Sequence, residues 1–365
     1  MKPIRVLHTE WSDGWGGQEI RIITEMLSLR KRGIEPYLAC REHAKIKEEA
    51  VLAGIPVFVL PFGGIADLRS VWMLFKIIKK LHIDIVNTHS GKDTWTGGIA
   101  AKLSGAKFIR TRHLSNRINP SRLNFINELA DAIITTGEHI KDDMIKYNRI
   151  KPGRVVSIPT GVDETVFDPS KYDKREVRRL FDIKDDRIVV GILAVLRKFK
   201  RHDLFIEMAY AISGQFPKVV FLIAGDGPQK ENIKKLIETK NLKKQVRMVG
   251  YIDEPAKFLS ALDIFVMTSD SGEGVPQAII QALMMRLPVV AIDVGSVGDL
   301  YCEDNLILIS RNNTDSLVAN VKHLIKDKRL RQEYSKRARD YMIKNFSETV
   351  MSEKLLHLYD MILKK

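Results

Sequence analysis

The sequence predicts an α/β protein of two doubly wound, Rossmann-like domains facing across a cleft. Short apolar runs alternate with helical patterns along the whole chain, as in parallel sheets covered on both faces. The alternation restarts after a polar stretch at residues 161–187, giving two blocks with about six strands each. The length of 365 residues also suits two domains at roughly 150 residues per domain. The expected boundaries are a first domain at residues 1–168, a second at 169–345, and a last helix at 346–365 that packs back on the first domain. Doubly wound sheets take their ligands beyond the carboxyl ends of the strands, so two facing sheets would share one cleft.

In chain order, the runs at residues 4–7, 57–60, 83–86, 108–111, 132–135 and 155–158 read as buried strands. Residues 19–29 carry Ile22, Ile23, Met26 and Leu29 on one stripe and predict a helix. Residues 71–81 combine Trp72, Met73, Phe75, Ile77 and Ile78 with Lys76, Lys79 and Lys80. That is an amphipathic helix whose apolar side either joins the core or lies on an anionic surface. The charged stretch 161–187, with Pro169, reads as the inter-domain connection. A second set of strands follows at 188–193, 219–224, 246–249, 264–267, 289–291 and 306–309. Residues 330–365 are helical in pattern, with Arg331, Lys336, Arg337, Arg339 and Lys344 read as solvated surface.

Composition narrows the partners. The chain is 45% hydrophobic, enough for a full core in each half without disulfides or metal. An excess of 59 Lys+Arg over 45 Asp+Glu, +14 in all, asks for an anionic partner: nucleic acid, a phosphorylated substrate or a membrane surface. Residues 66–124 hold eleven basic residues against three acids. These are Arg69, Lys76, Lys79, Lys80, Lys92, Lys102, Lys107, Arg110, Arg112, Arg117 and Arg122. A nucleic-acid platform needs aromatics interleaved with the cations, and at 7% aromatic content that reading falls behind. Cys40 and Cys302 form no framework, which fits a reducing compartment. With no signal-peptide pattern and no run of ~20 apolar residues, the expected location is cytoplasmic, with peripheral membrane contact open.

Two segments carry candidate chemistry. Gly14-Trp15-Gly16-Gly17-Gln18-Glu19 follows the first strand, and its Glu19 stands where a dinucleotide fingerprint needs glycine. NAD is therefore disfavoured, although free N–H groups at the helix start can face a phosphate or sugar. A plain strand-to-helix turn would look the same. The second segment runs from Ser269 through Glu273-Gly274-Val275-Pro276 to Leu283, after the strand at 264–267. It reads as a polar loop, a helix start at Pro276 and a reaching side chain, Gln281, two turns on. A capped surface loop is the alternative there. No Asp-x-Asp flanks a strand and no carboxylates cluster with histidines, so no metal site is expected. Asp185-Asp186 reads as a solvated pair in the inter-domain turn.

Glu273-Gly274-Val275-Pro276 with a polar residue eight positions after the Glu resembles the retaining glycosyltransferases of family 4, group 1, which have the GT-B fold. Other segments fall in that family's order: Gly16-Gly17-Gln18-Glu19, Thr111-Arg112-His113, Pro159-Thr160-Gly161-Val162-Asp163, Gly225-Asp226-Gly227-Pro228 and Val249-Gly250-Tyr251. The resemblance implies a nucleotide-sugar donor (UDP-, GDP- or ADP-sugar), no cofactor, no metal, and a polysaccharide or lipid-linked acceptor. It implies that Glu273 meets the donor sugar's hydroxyls, with N–H groups of Gly274 and Val275 nearby and Pro276, Gly250, Tyr251, Gly16 and Gly17 around the donor. Gln281 stands where the family has a ribose-binding glutamate; an amide can still donate to and accept from hydroxyls. Lys200 matches a diphosphate-binding lysine, whereas the usual arginine position is Val195, leaving Arg197 as the substitute. His113 matches a histidine that contacts the reacting sugar. His89 either lines the acceptor pocket or caps a loop. Two rival readings remain: an epimerase or hydrolase of the same fold, and a non-catalytic protein that binds anionic membranes or nucleic acid.

Overall fold

The structure is a computed structural model and describes residues 2–64, 67–114, 118 and 125–364. The chain divides into two compact units, Met1–Gly161 with Glu348–Lys365, and Val162–Ser347. In the first unit the elements are β1 Arg5–Glu10, α1 Gly17–Arg30, β2 Glu35–Cys40, α2 Lys45–Leu52, β3 Val57–Val59, α3 Leu68–Leu81 and β4 Ile85–Thr88. After these come α4 Gly91–Ser104, β5 Lys107–Arg112, α5 Ile126–Leu129, β6 Ala132–Thr135, α6 Glu138–Lys146 and β7 Val155–Ser157. The strands form a parallel sheet in the order β3-β2-β1-β4-β5-β6-β7. The order reverses between β1 and β4, so that sheet's ligand crevice opens at the carboxyl ends of these two strands.

Val162–Ser347 contains α7 Lys174–Leu180, β8 Ile188–Leu193, α8 His202–Ser213, β9 Val219–Ala224, α9 Lys230–Thr239 and β10 Val246–Gly250. It continues with α10 Pro255–Ser260, β11 Ile264–Met267, α11 Gln277–Met284, β12 Val289–Ile292, β13 Ile307–Ile309, α12 Thr314–Lys326 and α13 Lys328–Phe346. Its sheet is again parallel, ordered β10-β9-β8-β11-β12-β13, with the reversal between β8 and β11. The last helix, α14 Glu348–Leu363, belongs to the first unit. Its Met351, Leu355, Leu358, Tyr359 and Ile362 pack with Val6, Leu29, Ile85, Ile109 and Ile134.

The expectation of six strands in the first block misses β2, whose sequence Glu35-Pro36-Tyr37-Leu38-Ala39-Cys40 carries a proline that argues against an interior strand. The ladder accommodates it. Glu35 N–H donates to Ile4 on the β1 side, and Leu38 N–H donates to Pro56 on the β3 side. Pro36 thus turns its missing donor toward the β3 side, where pairing begins only at Leu38. The stretch 161–187 is also corrected: it holds α7, capped by Asp173, and from Val162 onward it lies within the second unit. Asp185-Asp186 accordingly sits in the turn before β8, with Asp186 3.0 Å from Lys218. Helix α3 starts on an Asp67 side-chain cap and buries Val71, Leu74 and Ile78 in the core, so its apolar stripe is packed. Leu68, Arg69, Trp72, Lys76, Lys79 and Lys80 remain on its exposed side. Arg110, by contrast, is buried and bonded to Asn127, and Arg117 and Arg122 lie outside the described residues.

Candidate active site

In the second unit, the loops that leave β8 and β11 meet at the sheet's reversal point. After β8, Arg197 opens a 3₁₀ turn at Lys198–Lys200. After β11, Thr268 donates to the Lys200 carbonyl at 2.9 Å, and Asp270 N–H donates to the Phe199 carbonyl at 3.0 Å. These two bonds bring Lys200 Nζ to 2.5 Å from Glu273 Oε1, with both side chains largely out of solvent at 16% and 8% exposure. Helix α11 starts immediately beyond. Pro276 occupies its N-cap, no side chain caps its first turn, and Gly274 and Val275 are buried just ahead of it. Gln281 sits just over one turn into α11, closer than two turns because the helix begins at Gln277. Its half-buried amide has no partner among the described residues.

The glycines of Gly225-Asp226-Gly227 follow from close packing. They have φ of +139° and +152°, and a Cβ at Gly225 would stand 2.0 Å from the Ala194 carbonyl oxygen. The loop can therefore lie flat on the end of β8, where Leu196 N–H donates to Asp226 at 3.0 Å and Gln229 N–H to Leu196 at 2.9 Å. Gly250 ends β10 at a register shift, and the exposed Tyr251 follows it. Arg197 opens the same turn that carries Lys200. It lines a cavity of about 660 Å³ together with Lys198, Arg201, Gln229, Asn232 and Asp270, and Lys200 and Glu273 take no part in that lining. Arg201 is bound to Asp203 and Asp270, whereas Arg197 and Lys198 make no ion pair among the described residues.

In the first unit, polar groups crowd the reversal point between β1 and β4. Glu10 ends β1 and is fully buried. It accepts from Ser12 N–H at 2.7 Å, from Gln18 Nε2 at 2.5 Å and from the Ser90 hydroxyl. Burial outweighs these donors and pushes its carboxyl up to about 7. Ser90 and Asp93 form the capping box of α4. Asp93 also accepts from Thr9 at 2.6 Å and from His89 N–H at 3.0 Å. Burial, with the Glu10 charge second, holds the Asp93 carboxyl well above its ordinary range. Gly16 is the extended N-cap of α1, so Gly17 and Gln18 open that helix and Gln18 turns inward to Glu10.

His113 follows β5 directly, and its Nε2 lies 3.0 Å from His89 Nδ1. His89 Nε2 in turn lies 3.0 Å from His8 Nδ1. Sequence reasoning picked His113 and His89 but left His8, Glu10, Gln18 and Asp93 without roles. Ser90-x-x-Asp93 was the one available signal, since Ser followed three residues later by an acid marks a helix start.

Comparison with known proteins agrees with this architecture. A family model described as "Glycosyl transferases group 1" matches residues 173–341, and one described as "Glycosyltransferase Family 4" matches residues 15–166. An Escherichia coli UDP-Gal:alpha-D-GlcNAc-diphosphoundecaprenol alpha-1,3-galactosyltransferase is 28% identical, across 99% of this chain and 98% of its own. The crystal structure of a glycosyltransferase from Rickettsia africae superposes with a TM-score of 0.88 at 21% identity, covering 100% of both chains. That of Anabaena HepE in complex with UDP and glucose gives 0.85 at 19% identity, covering 98% of this chain and 99% of the other. The two-sheet parallel architecture is thus that of the GT-B enzymes, and the chain belongs to the family 4 glycosyltransferases.

Proposed function

We propose that this glycosyltransferase moves a sugar, with retention of anomeric configuration, from a UDP-sugar to a lipid-linked or polysaccharide acceptor in bacterial cell-surface glycan synthesis. The observation that carries the reading is the Lys200–Glu273 contact at the uncapped start of α11. Glu273 accepts from the donor sugar's hydroxyls while the N–H groups of Gly274 and Val275 donate to it. Gln281 meets the ribose, and Gly250 and Tyr251 border the nucleotide. Lys200 passes from Glu273 to the diphosphate, whose charge grows as the glycosidic bond breaks, and Arg197 supplies a second cation. In a retaining transfer the departing phosphate oxygen takes the acceptor's proton, so His113 serves to orient the sugar rather than as a base. The second unit then binds the donor and the first unit the acceptor. UDP is favoured because HepE holds UDP and the Escherichia coli relative is named for UDP-Gal; that relative's name also includes a diphosphoundecaprenol acceptor.

A panel of UDP-, GDP- and ADP-sugars tests the donor. The cognate UDP-sugar at a hundred times its Kd is expected to add about 2.7 kcal/mol of stability and raise the Tm accordingly. A product with inverted configuration at the transferred sugar would rule out the retaining mechanism.

Among the described residues, no helix is long and apolar enough to cross a membrane. We place peripheral attachment to the cytoplasmic leaflet on α3, whose exposed side joins Leu68 and Trp72 to Arg69, Lys76, Lys79 and Lys80, with no acid among them. Lys76 Nζ lies 3.4 Å over the Trp72 ring, an amphipathic pair suited to the headgroup layer. Reversing Lys79 and Lys80 to Glu is expected to weaken sedimentation with phosphatidylglycerol vesicles by about tenfold or more. Equal sedimentation of variant and parent protein would remove α3 from the contact.

A further inference from the structure

Three histidines from three adjacent strands or the residues just past them form one line. His8 lies inside β1, His89 just past β4, and His113 just past β5. Neighbouring rings contact each other nitrogen to nitrogen at 3.0 Å, His8 Nδ1 to His89 Nε2 and His89 Nδ1 to His113 Nε2. The His8 and His89 rings are nearly coplanar, 12° apart, with centroids at 5.3 Å. At the inner end, His8 Nε2 is buried without a partner. At the outer end, His113 Nδ1 has no partner among the described residues.

A neutral imidazole carries one N–H and one bare nitrogen, so each contact in the line needs a donor facing an acceptor. Only two arrangements satisfy both contacts, and they differ by reversing all three tautomers together. The inner end decides between them. The charge of the buried Arg21 guanidinium on α1 acts on His8, His89 and His113 alike. A bare His8 Nε2 suits that positive potential, whereas an N–H there would be a buried donor with no acceptor, the costlier omission. His8 therefore donates from Nδ1 to His89, His89 donates from Nδ1 to His113, and the outermost hydrogen lies on His113 Nδ1.

We propose that His8 and His89 are positioning residues that fix His113 in the Nδ1–H tautomer, so that it meets its ligand as a neutral hydrogen-bond donor to a sugar oxygen. The assignment of a sugar as the ligand rests on the function proposed above; the tautomer coupling does not. Burial, with the Arg21 charge behind it, brings His8 down to about 3. Burial is likewise the main cause that lowers His89 and His113, with the other rings and Arg21 acting on His89, and Arg21 and Arg112 acting on His113. The charged groups around the line are Arg21, paired with Glu25 on α1, Arg112 on β5, and Asp93 on α4, which accepts from the His89 backbone.

The test is ¹⁵N NMR of the full chain labelled at histidine, with signals assigned by replacing histidines singly. Between about pH 5 and 8, His113 is expected to show a protonated Nδ1 and a bare Nε2 without titrating. In His89→Leu, the His113 signals move to values averaged over both tautomers. In His89→Gln they return, because the amide oxygen accepts from His8 and the amide nitrogen donates to His113. His8→Asn, whose shorter side chain breaks the inner contact, gives the same averaging by an independent route. With UDP-galactose or UDP-glucose as donor, His89→Leu lowers kcat about tenfold with KM within about twofold, and His89→Gln recovers it. A parent His113 protonated at Nε2, or a tautomer unchanged in both His89→Leu and His8→Asn, overturns the proposal. Full activity in His113→Ala would instead remove the sugar contact while leaving the tautomer coupling intact.

Discussion

Lys200→Ala is expected to reduce kcat by about a hundredfold to a thousandfold while the KM for the nucleotide sugar changes far less. Lys200 Nζ rests on Glu273 Oε1, in a contact nearly closed to water. The loop that carries the lysine is held by two hydrogen bonds, since the Lys200 carbonyl accepts from the Thr268 hydroxyl and the Phe199 carbonyl accepts from Asp270 N–H. The Lys200 ammonium is thus prepositioned beside the start of α11, where the helix dipole favours negative charge. A cation placed in advance stabilises the charge that develops on the leaving diphosphate more than the charge already present in the bound donor, so its loss falls on kcat. Glu273→Ala is expected to cost a comparable factor by removing acceptors for the sugar hydroxyls. Because the two side chains touch, the double variant should lose less than the product of the single losses. Lys200→Arg keeps the charge but carries a planar fork in place of a compact ammonium, and should recover only part of the rate. Steady-state kinetics on the parent and the four variants decide the matter. A Lys200→Ala enzyme within about threefold of the parent kcat would remove the lysine from the transition state.

The sequence announced the scaffold more clearly than the chemistry it supports. Every strand of the second sheet was legible because runs such as Val219–Ala224 are apolar on both faces, which only a doubly covered sheet demands. β2 was hidden by Pro36, whose tolerance depends on where β3 begins to pair, a fact of register with no local signature. α7, Lys174-Arg175-Glu176-Val177-Arg178-Arg179-Leu180, was hidden by its charges. Its Arg178 is nevertheless buried, donating to the Ala261 carbonyl at 3.0 Å and pairing with Asp263 at 2.6 Å. The same limit applied to the candidate site. Glu273 and Lys200 could be singled out by their motif, yet their contact spans 73 positions and depends on β8 and β11 being neighbours. The histidine line has no linear trace, because it requires β1, β4 and β5 to lie side by side in the register that sets His8 opposite Asn87 and Thr88 opposite Arg110. Arg197 was legible only through its nearness to Lys200, and the cavity that it lines after β8 has no linear signature.

The largest loss of stability is expected from Glu25→Ala. Glu25 and Arg21 stand one turn apart on α1, both fully buried, with Nε and Oε2 at 3.5 Å. Burial pushes the Glu25 carboxyl up and the Arg21 guanidinium down, each partly offset by the other's charge. Around them the polar groups knit four further segments together. Glu25 accepts from Asn87 on β4 at 3.2 Å and from the Tyr359 hydroxyl on α14 at 3.5 Å. Asn87 accepts from Thr111 on β5 at 2.8 Å, and Arg21 donates to Thr160 at 3.2 Å. Arg21 Nε and Nη2 and Glu25 Oε2 make no hydrogen bond, so the pair is held by charge rather than by a hydrogen bond between its members. Removing the carboxylate leaves a buried guanidinium without its counter-charge, a change that typically costs about 3–5 kcal/mol. Glu25→Gln keeps the acceptor oxygen and should lose less than Glu25→Ala. The double change Arg21→Met with Glu25→Leu removes both charges, restores apolar volume next to Leu29 and α14, and should recover most of the stability. Urea unfolding of the full chain, followed by a probe in the first unit, separates these outcomes. If Glu25→Ala lay within about 1 kcal/mol of the parent, the pair would be a passenger in the core, and α14 would be held by its apolar contacts alone.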